Sequence, residues 1–565
     1  MSLEQKVGQC FTYLYSGWLV TPSVVDAITK LHAGNLRLQP AYQTGKRHKY
    51  YGFDTGGGAY AYPPGYKPIP ETLFLPGELG AISPSEYATL LNKLQALATS
   101  RPGGIPLNMA VDQEGDIGRN YLFGGINLFP MPMGLAASND PAFVFEVNKA
   151  MARQLSAIGI NCIHSPVVDV NINPQNPEIG IRSFGDDPKR VAEFALAAMK
   201  GMQAGGMITT AKHFPGRGDS MSDAHFDTPT LEVDRKRLDD VELVPYRTLI
   251  ANGLDCIMIA HNVYTALDPG VIATVSRKII TDLLRNELGF QGVVTTDAIS
   301  MGALMKRYGL PEACARALEA GADLVLNKTE TVYRDQGFLE TLKYVQQGRI
   351  PTEELDDKVR RILRVKYNRG LFKKAGQVDP ARAERPIRDK VTIELAAQAA
   401  CRAAVMLKDQ EGLLPLSPEK RLLVVEQKLE HIYMGLNTSL HRLNFTEAMY
   451  SHSMNIVAAD TEFKATPDDE QLILDLAKDV DVVVMTSFYY RVEASNVQLA
   501  KKLLEKGHKV IIITNSPYPM ALPEGIKTAL CTFANTPESL RFAAAALFGK
   551  DKPQGAWPLV NYHVK

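Results

Sequence analysis

Cysteine is scarce and unpatterned in this chain: Cys10, Cys162, Cys256, Cys314, Cys401 and Cys531 are its six, spread over 565 residues with no CxxC pair. That spacing fits neither a zinc cluster nor a disulfide framework, so reduced and mostly buried thiols are expected. No stretch of about eighteen apolar residues occurs, which leaves no segment with the signature of a transmembrane helix. The opening residues, MSLEQKVGQ, carry charges where a secretory signal has its apolar stretch, so a cytoplasmic location is expected. Net charge is missing too, because 62 Lys plus Arg balance 62 Asp plus Glu. Without a field of one sign there is no pull on nucleic acid or on an anionic membrane, and the expected partner is small and neutral. Neither an HExxH pair nor a Gly-rich phosphate fingerprint is present, so no metal and no cofactor are expected.

What the chain does have is an ordinary globular composition, 45% hydrophobic and 22% charged, with length for several domains. Up to about Asn327, short β-rich apolar runs alternate with helical stretches. Candidate strands are Gly34 to Leu38, Leu107 to Asp112, Asn161 to Pro166, Met207 to Lys212, Leu254 to His261, Gly292 to Asp297 and Ala322 to Asn327. Seven such units suit an α/β fold of the (β/α)8 TIM type, and leave one strand unassigned. The Tyr-, Gly- and Pro-rich stretch from Ala41 to Pro76 has no period and is expected to be a long loop, either a wall of the site or a packed insertion.

A charged helical segment follows from Pro351, and a second α/β pattern starts after Ala397 with strands at Arg421 to Val425, Val480 to Met485, Val510 to Thr514 and Thr528 to Phe533. The expected organisation is a barrel over 1–350, a helical linker over 351–396 and a smaller α/β sandwich with a mostly parallel sheet over 397–565.

Polar residues recur where the barrel strands stop: Asp112, Asp169, Lys212 with His213, His261 and Asp297. In a barrel these ends face one mouth. The segment Lys212-His213-Phe214-Pro215-Gly216-Arg217-Gly218-Asp219 must leave the strand as a loop, because Pro and Gly break both periods. That loop carries Asp223 and His225, two apart, so in an extended stretch the carboxylate and imidazole share a face. A carboxylate there favours the imidazolium and one ring tautomer, which suits a group that acts first as acid and then as base. Four strand-forming residues lead into Asp297 and a Ser/Gly turn, which aims its carboxylate out of the strand end.

These segments resemble the β-N-acetylglucosaminidase branch of glycoside hydrolase family 3, through KHFPGxGD at 212–219, Asp-x-His at 223–225 and Asp-x-x-Ser-Met-Gly at 297–302. Further matches are Val111-Asp112-Gln113-Glu114-Gly115, Ser165 to Val170 and Arg182-Ser183-Phe184-Gly185-Asp186-Asp187-Pro188, so the likeness covers nearly the whole barrel. The second domain is similar through Val405 to Lys408 and Gly555 to Leu559. The resemblance implies a retaining exo-acting enzyme that removes terminal β-linked N-acetylglucosamine. Asp297 would be the nucleophile, His225 the acid/base and Asp223 its orienting partner; Asp112, Arg119, Arg182, Lys212 and His213 would hold the sugar. The chain departs from the branch where Asp116 follows Gly115, where Arg119 comes one residue early, and where Arg217 replaces a common His.

Other readings stand beside this one. Asp297 could cap a turn, Lys212 and His213 could be a buried structural pair, and Glu114 could only brace Asp112. His225 with Asp223, His213, His261 and Asp227 could form a metal site, although no metal spacing matches. His261 is expected to be structural. A β-glucosidase or β-xylosidase of the same family, a phosphorolytic enzyme and a silent carbohydrate-binding barrel are the competing functions.

Overall fold

The computed structural model describes the chain except residues 18, 40–81, 117–125, 226, 330–331, 429–443, 490–495 and 565. The 41–76 stretch and Arg119 therefore lie outside the described residues.

Eight parallel strands close a barrel: β1 (Phe11–Ser16), β2 (Asn35–Gln39), β3 (Asn108–Val111), β4 (Cys162–Ile163), β5 (Ile208–Phe214), β7 (Cys256–Ile259), β9 (Val293–Ala298) and β10 (Leu324–Asn327), in that order around the ring, with β10 returning to β1. β1 is the strand the sequence pattern leaves unassigned. The short pair β6 (Thr230–Leu231) and β8 (Val263–Tyr264) lies outside the ring. β4 is only two residues long, and beyond it the chain stays bonded to β5 in a shifted register, through Thr210 N–H to Ser165 O, Lys212 N–H to Pro166 O and Val168 N–H to Lys212 O.

The helices start where the sequence places caps. Ser83 and Glu86 form a capping box before Pro84–Thr99; Asp140 and Asp187 cap Pro141–Ala157 and Pro188–Ala204, each with Pro in the first turn. Val144, Val147, Met151 and Leu155 on one, and Val191, Ala195, Ala198 and Met202 on the other, recur three or four apart and enter the barrel's core.

The second sheet contains β11 (Val405–Asp409), β12 (Leu422–Gln427), β13 (Ile456–Thr461), β14 (Val482–Ser487), β15 (Val510–Thr514) and β16 (Thr528–Cys531), in the spatial order β11-β16-β15-β14-β12-β13. Only β11, at one edge, runs antiparallel. Separate apolar clusters cover the two faces, as a doubly wound sheet requires.

The two sheets are tied together in three ways. Helix Lys390–Ala403 gives Ala396 and Ala399 to the barrel's core and Ala400 to that of the second sheet. Met133 and Ala137 of the barrel pack with Val405, Tyr518, Phe533 and Leu559. The buried Asp186 carboxylate accepts hydrogen bonds from the backbone N–H groups of Val560, Asn561 and Tyr562, at 2.7, 2.8 and 3.0 Å. All six cysteines are free, and five are buried. Among the described residues no helix is long and apolar enough to cross a membrane.

Candidate active site

The seven described residues singled out from the sequence meet at the C-terminal mouth of the barrel, joined in one network of ionic contacts. On one side Lys212, near the end of β5, places its ammonium 2.6 Å from Glu114 Oε1 and 3.3 Å from Asp112 Oδ1. Arg182 grips Glu114 with two hydrogen bonds, from Nε at 2.7 Å and from Nη2 at 2.9 Å. Asp112 is also paired with Arg37 of β2 and with His164 Nδ1 at 3.2 Å. Burial opposes its ionisation, yet the Arg37 and Lys212 charges hold the carboxyl well below the usual carboxylate range.

His213 follows on β5. Its Nδ1 donates to Asp169 Oδ2 at 2.8 Å, and its Nε2 faces Asp297 Oδ2 at 3.9 Å. Burial, then the neighbouring Arg217, Arg182 and Lys212 charges, push the imidazole pKa well down, so the ring is neutral and Nε2 is an acceptor. Asp169 also accepts from the Arg217 N–H at 2.8 Å, which pins the start of the loop after β5. Gly218 passes so close to the β4 side that a Cβ would lie 1.7 Å from Val170 O, which accounts for the second glycine of the PGxG turn.

Asp297 sits near the end of β9. Its Oδ1 accepts from the Ala298 N–H at 2.7 Å, and Oδ2 lies 3.5 Å from Arg217 Nη2. Burial raises the carboxyl, but Arg217, His261 and Lys328 outweigh it and hold the group well below its ordinary range. The same Arg217 nitrogen donates to Glu178 Oε1 at 2.9 Å.

The loop after β5 returns to this spot. His225 Nδ1 is 2.7 Å from Asp223 Oδ1, an oxygen that also accepts the His225 N–H at 2.9 Å. The pair meets through a tight turn and not through an extended stretch, because the Asp223 side chain bonds the backbone two residues on. Backbone bonds from Gly302 N to His225 O and from Ala303 N to Ala224 O stitch the loop to the segment after Asp297. His225, Asp112 and Asp297 keep side-chain exposures of 24, 18 and 13%, whereas Arg182, Lys212 and His213 keep 6, 3 and 3%. The first three are therefore the groups best able to touch a ligand.

Three functional candidates escaped the sequence reading: Arg37, His164 and Glu178. Arg37 had a signal, a charge inside the otherwise apolar alternation of β2. Glu178 had none, since it lies on an irregular segment and reaches the site only by tertiary packing. His261 is pinned by Thr274 Oγ1 at 2.6 Å and Ala298 O at 2.9 Å, and burial lowers its pKa to about 4. Asp219 pairs with Arg237 at 3.2 Å. Among the described residues the atoms best placed for a metal are on Glu178, Asp223 and His225, within 4.8 Å of one another. A dication there would have to share Glu178 with the Arg217 guanidinium, so the arrangement suits a charged imidazole better than a metal.

Residues 73–365 match the Glycosyl hydrolase family 3 N terminal domain, and residues 404–563 match the corresponding C-terminal domain. "Beta-hexosaminidase A" of Pseudoalteromonas piscicida is 28% identical over 448 residues, covering 75% of this chain and 72% of that protein. "Beta-N-acetylglucosaminidase/beta-glucosidase" of Cellulomonas fimi is 26% identical over 507 residues, 85% of this chain and 87% of that one. A solved family 3 β-N-acetylglucosaminidase from Paenibacillus sp. str. FPU-7 superposes with a TM-score of 0.83 at 28% identity, each chain covered in full. With both of its domains matched in order, this chain belongs to glycosyl hydrolase family 3 and is a glycoside hydrolase.

Proposed function

We propose that the chain removes terminal β-linked N-acetylglucosamine by a retaining mechanism in which Asp297 is the nucleophile and His225 the acid/base. The observation that carries this reading is that Asp297 and His225 flank one buried ion pair, Arg217 with Glu178, at 3.5 and 3.6 Å. A carboxylate kept ionised and an imidazole beside two carboxylates then stand at the two ends of one ion pair.

In the first step an Asp297 oxygen attacks C1 while the His225 imidazolium gives its Nε2 proton to the departing oxygen, because Nδ1 is committed to Asp223. The C1–O bond breaks, the aglycone leaves as an alcohol, and a glycosyl ester remains on Asp297. In the second step the neutral imidazole takes a proton from water, the hydroxide oxygen attacks C1, and the Asp297 carboxylate leaves, restoring the imidazolium and the original anomeric configuration. Asp112 accepts sugar hydroxyls, His213 Nε2 accepts another, and Lys212 and Arg182 hold Asp112 and Glu114 in register for them. Arg119 would complete this set.

Water is favoured over phosphate in the second step because Asp223 and Glu178 surround the imidazole with negative charge. The name of the Cellulomonas fimi relative keeps a β-glucosidase as the second reading. Comparing kcat/KM on 4-nitrophenyl β-N-acetylglucosaminide and β-glucoside tests the substrate: at least a ten-fold preference for the former is expected, and a preference for the glucoside would overturn it. The same assay in phosphate buffer should yield free sugar; sugar 1-phosphate would overturn hydrolysis.

A further inference from the structure

Arg217 and Glu178 form a buried ion pair whose two ends face the two reacting groups. The guanidinium Nη2 lies 2.9 Å from Glu178 Oε1 and 3.5 Å from Asp297 Oδ2, so its positive end meets the carboxylate. Glu178 Oε1 lies 3.6 Å from His225 Nδ1, so the negative end meets the imidazole. Both partners are nearly sealed from solvent, with side-chain exposures of 2 and 5%, so little water screens these contacts.

The pair is also held rigidly from its backbone. Asn176 Oδ1 accepts the N–H groups of Glu178 and Ile179, and Asn176 Nδ2 donates to Arg217 O, all at 2.9 Å. One asparagine therefore fixes both partners at once. From the second domain, Tyr489 OH donates to Pro177 O at 2.9 Å, immediately before Glu178. Asn171, on the same segment, donates to Tyr518 OH at 2.9 Å. The second domain thus helps set where the glutamate stands.

We propose that Glu178 and Arg217 are positioning residues that couple the two steps of the reaction: Arg217 keeps Asp297 ionised, Glu178 keeps His225 protonated, and each does so through one end of the same pair. This rests on Asp297 as nucleophile and His225 as acid/base. The other charged or titratable groups facing His225 are Asp223, Asp297 and His261; those facing Asp297 are His213, His225, His261 and Lys328; and Arg182 and Asp169 face the pair itself. None of these is altered in the test below.

The test is the pH profile of kcat/KM for the full chain and its variants on 4-methylumbelliferyl β-N-acetylglucosaminide. Glu178→Gln removes the negative end and leaves Arg217 acting alone, so both limbs of the profile move to lower pH, the basic limb by about one unit. Arg217→Met does the reverse, and both limbs move to higher pH. If a single variant does not fold, the double variant Glu178→Gln/Arg217→Met removes both buried charges together. Its profile narrows from both sides, because of the two charges removed the anion stands beside His225 and the cation beside Asp297, while Asp223 stays with the imidazole. Limbs that stay in place while the rate falls evenly at every pH overturn the proposal. Labelling each protein with a 5-fluoro N-acetylglucosaminyl fluoride, followed by peptide mapping, separates the two levels. A label on Asp297 with unmoved limbs defeats only the coupling, whereas a label on another residue defeats the reading of the site and the coupling with it.

Discussion

Glu114→Gln removes the carboxylate that Arg182 and Lys212 share beneath the sugar site. All three side chains are nearly fully buried. Stripping one partner from a buried ion pair costs about 3–5 kcal/mol, because the surviving charge is left in a poor dielectric without compensation. Here Arg182 keeps Glu178 Oε1 at 3.8 Å and Lys212 keeps Asp112 at 3.3 Å, so the lower end, about 3 kcal/mol, is expected. Lys212→Met should be milder. Glu114 retains two short bonds from Arg182, and Asp112 retains Arg37 and His164. The loss is then of charge-assisted hydrogen bonds only, about 1.5–2 kcal/mol. Urea unfolding followed by far-UV circular dichroism gives the two stabilities, and initial rates give KM. Both variants should raise KM, and Glu114→Gln should unfold at the lower urea concentration. A Glu114→Gln protein as stable as wild type, or more stable than Lys212→Met, would refute the view that this glutamate is the shared counter-charge of the site.

Three other outcomes are expected. Since Asp297 is held well below the ordinary carboxylate range, it stays ionised as pH falls, and the acidic limb of kcat/KM should lie below about pH 4; a limb near pH 5 assigned to Asp297 by trapping would contradict this. Asp186→Ala frees three backbone N–H groups of residues 560–562, so hydrogen exchange there should quicken at least ten-fold and kcat/KM should fall as the segment bearing Glu178 and Arg182 loosens; unchanged exchange would count against the clamp. Lys366 lies under the opposite end of the barrel, donating to Gly34 O and Pro106 O at 2.8 and 2.9 Å, and burial lowers its pKa to about 7. The unfolded chain then binds more protons between pH 7 and its ordinary value near 10.4, so wild-type stability relative to Lys366→Met should rise with pH across that window, by up to about 1.4 kcal/mol per unit. A flat difference would show that the two carbonyls keep the ammonium charged.

Much of this architecture is legible in the residue pattern, and the exceptions have physical causes. Strands such as Val293–Ala298 stand out because four buried β-branched residues in a row lead into an acidic one, Asp297. β1 does not, because Phe-Thr-Tyr-Leu-Tyr-Ser mixes rings and hydroxyls without a branched aliphatic core, yet Phe11, Tyr13 and Tyr15 are buried. In the second sheet β11 and β13 were missed for a related reason: both are edge strands, partly exposed, and weaker in pattern. The site divides in the same way. Lys212, His213, Asp223, His225 and Asp297 sit at strand ends or in one punctuated loop, where local spacing carries information. Arg217 could be singled out as a departure from the family pattern, but that its charge joins Asp297 to Glu178 could not, because Glu178 comes from 39 residues away on an irregular segment that only packing brings in.

The proposed mechanism requires Asp297 to form a covalent bond to the sugar. Incubating the protein with 5-fluoro N-acetylglucosaminyl fluoride and mapping the modified peptide by mass spectrometry tests this directly. A single adduct on the peptide containing Val293–Ala298, absent from Asp297→Ala, is the predicted result. An adduct elsewhere, or an Asp297→Ala protein as active as wild type, would contradict it.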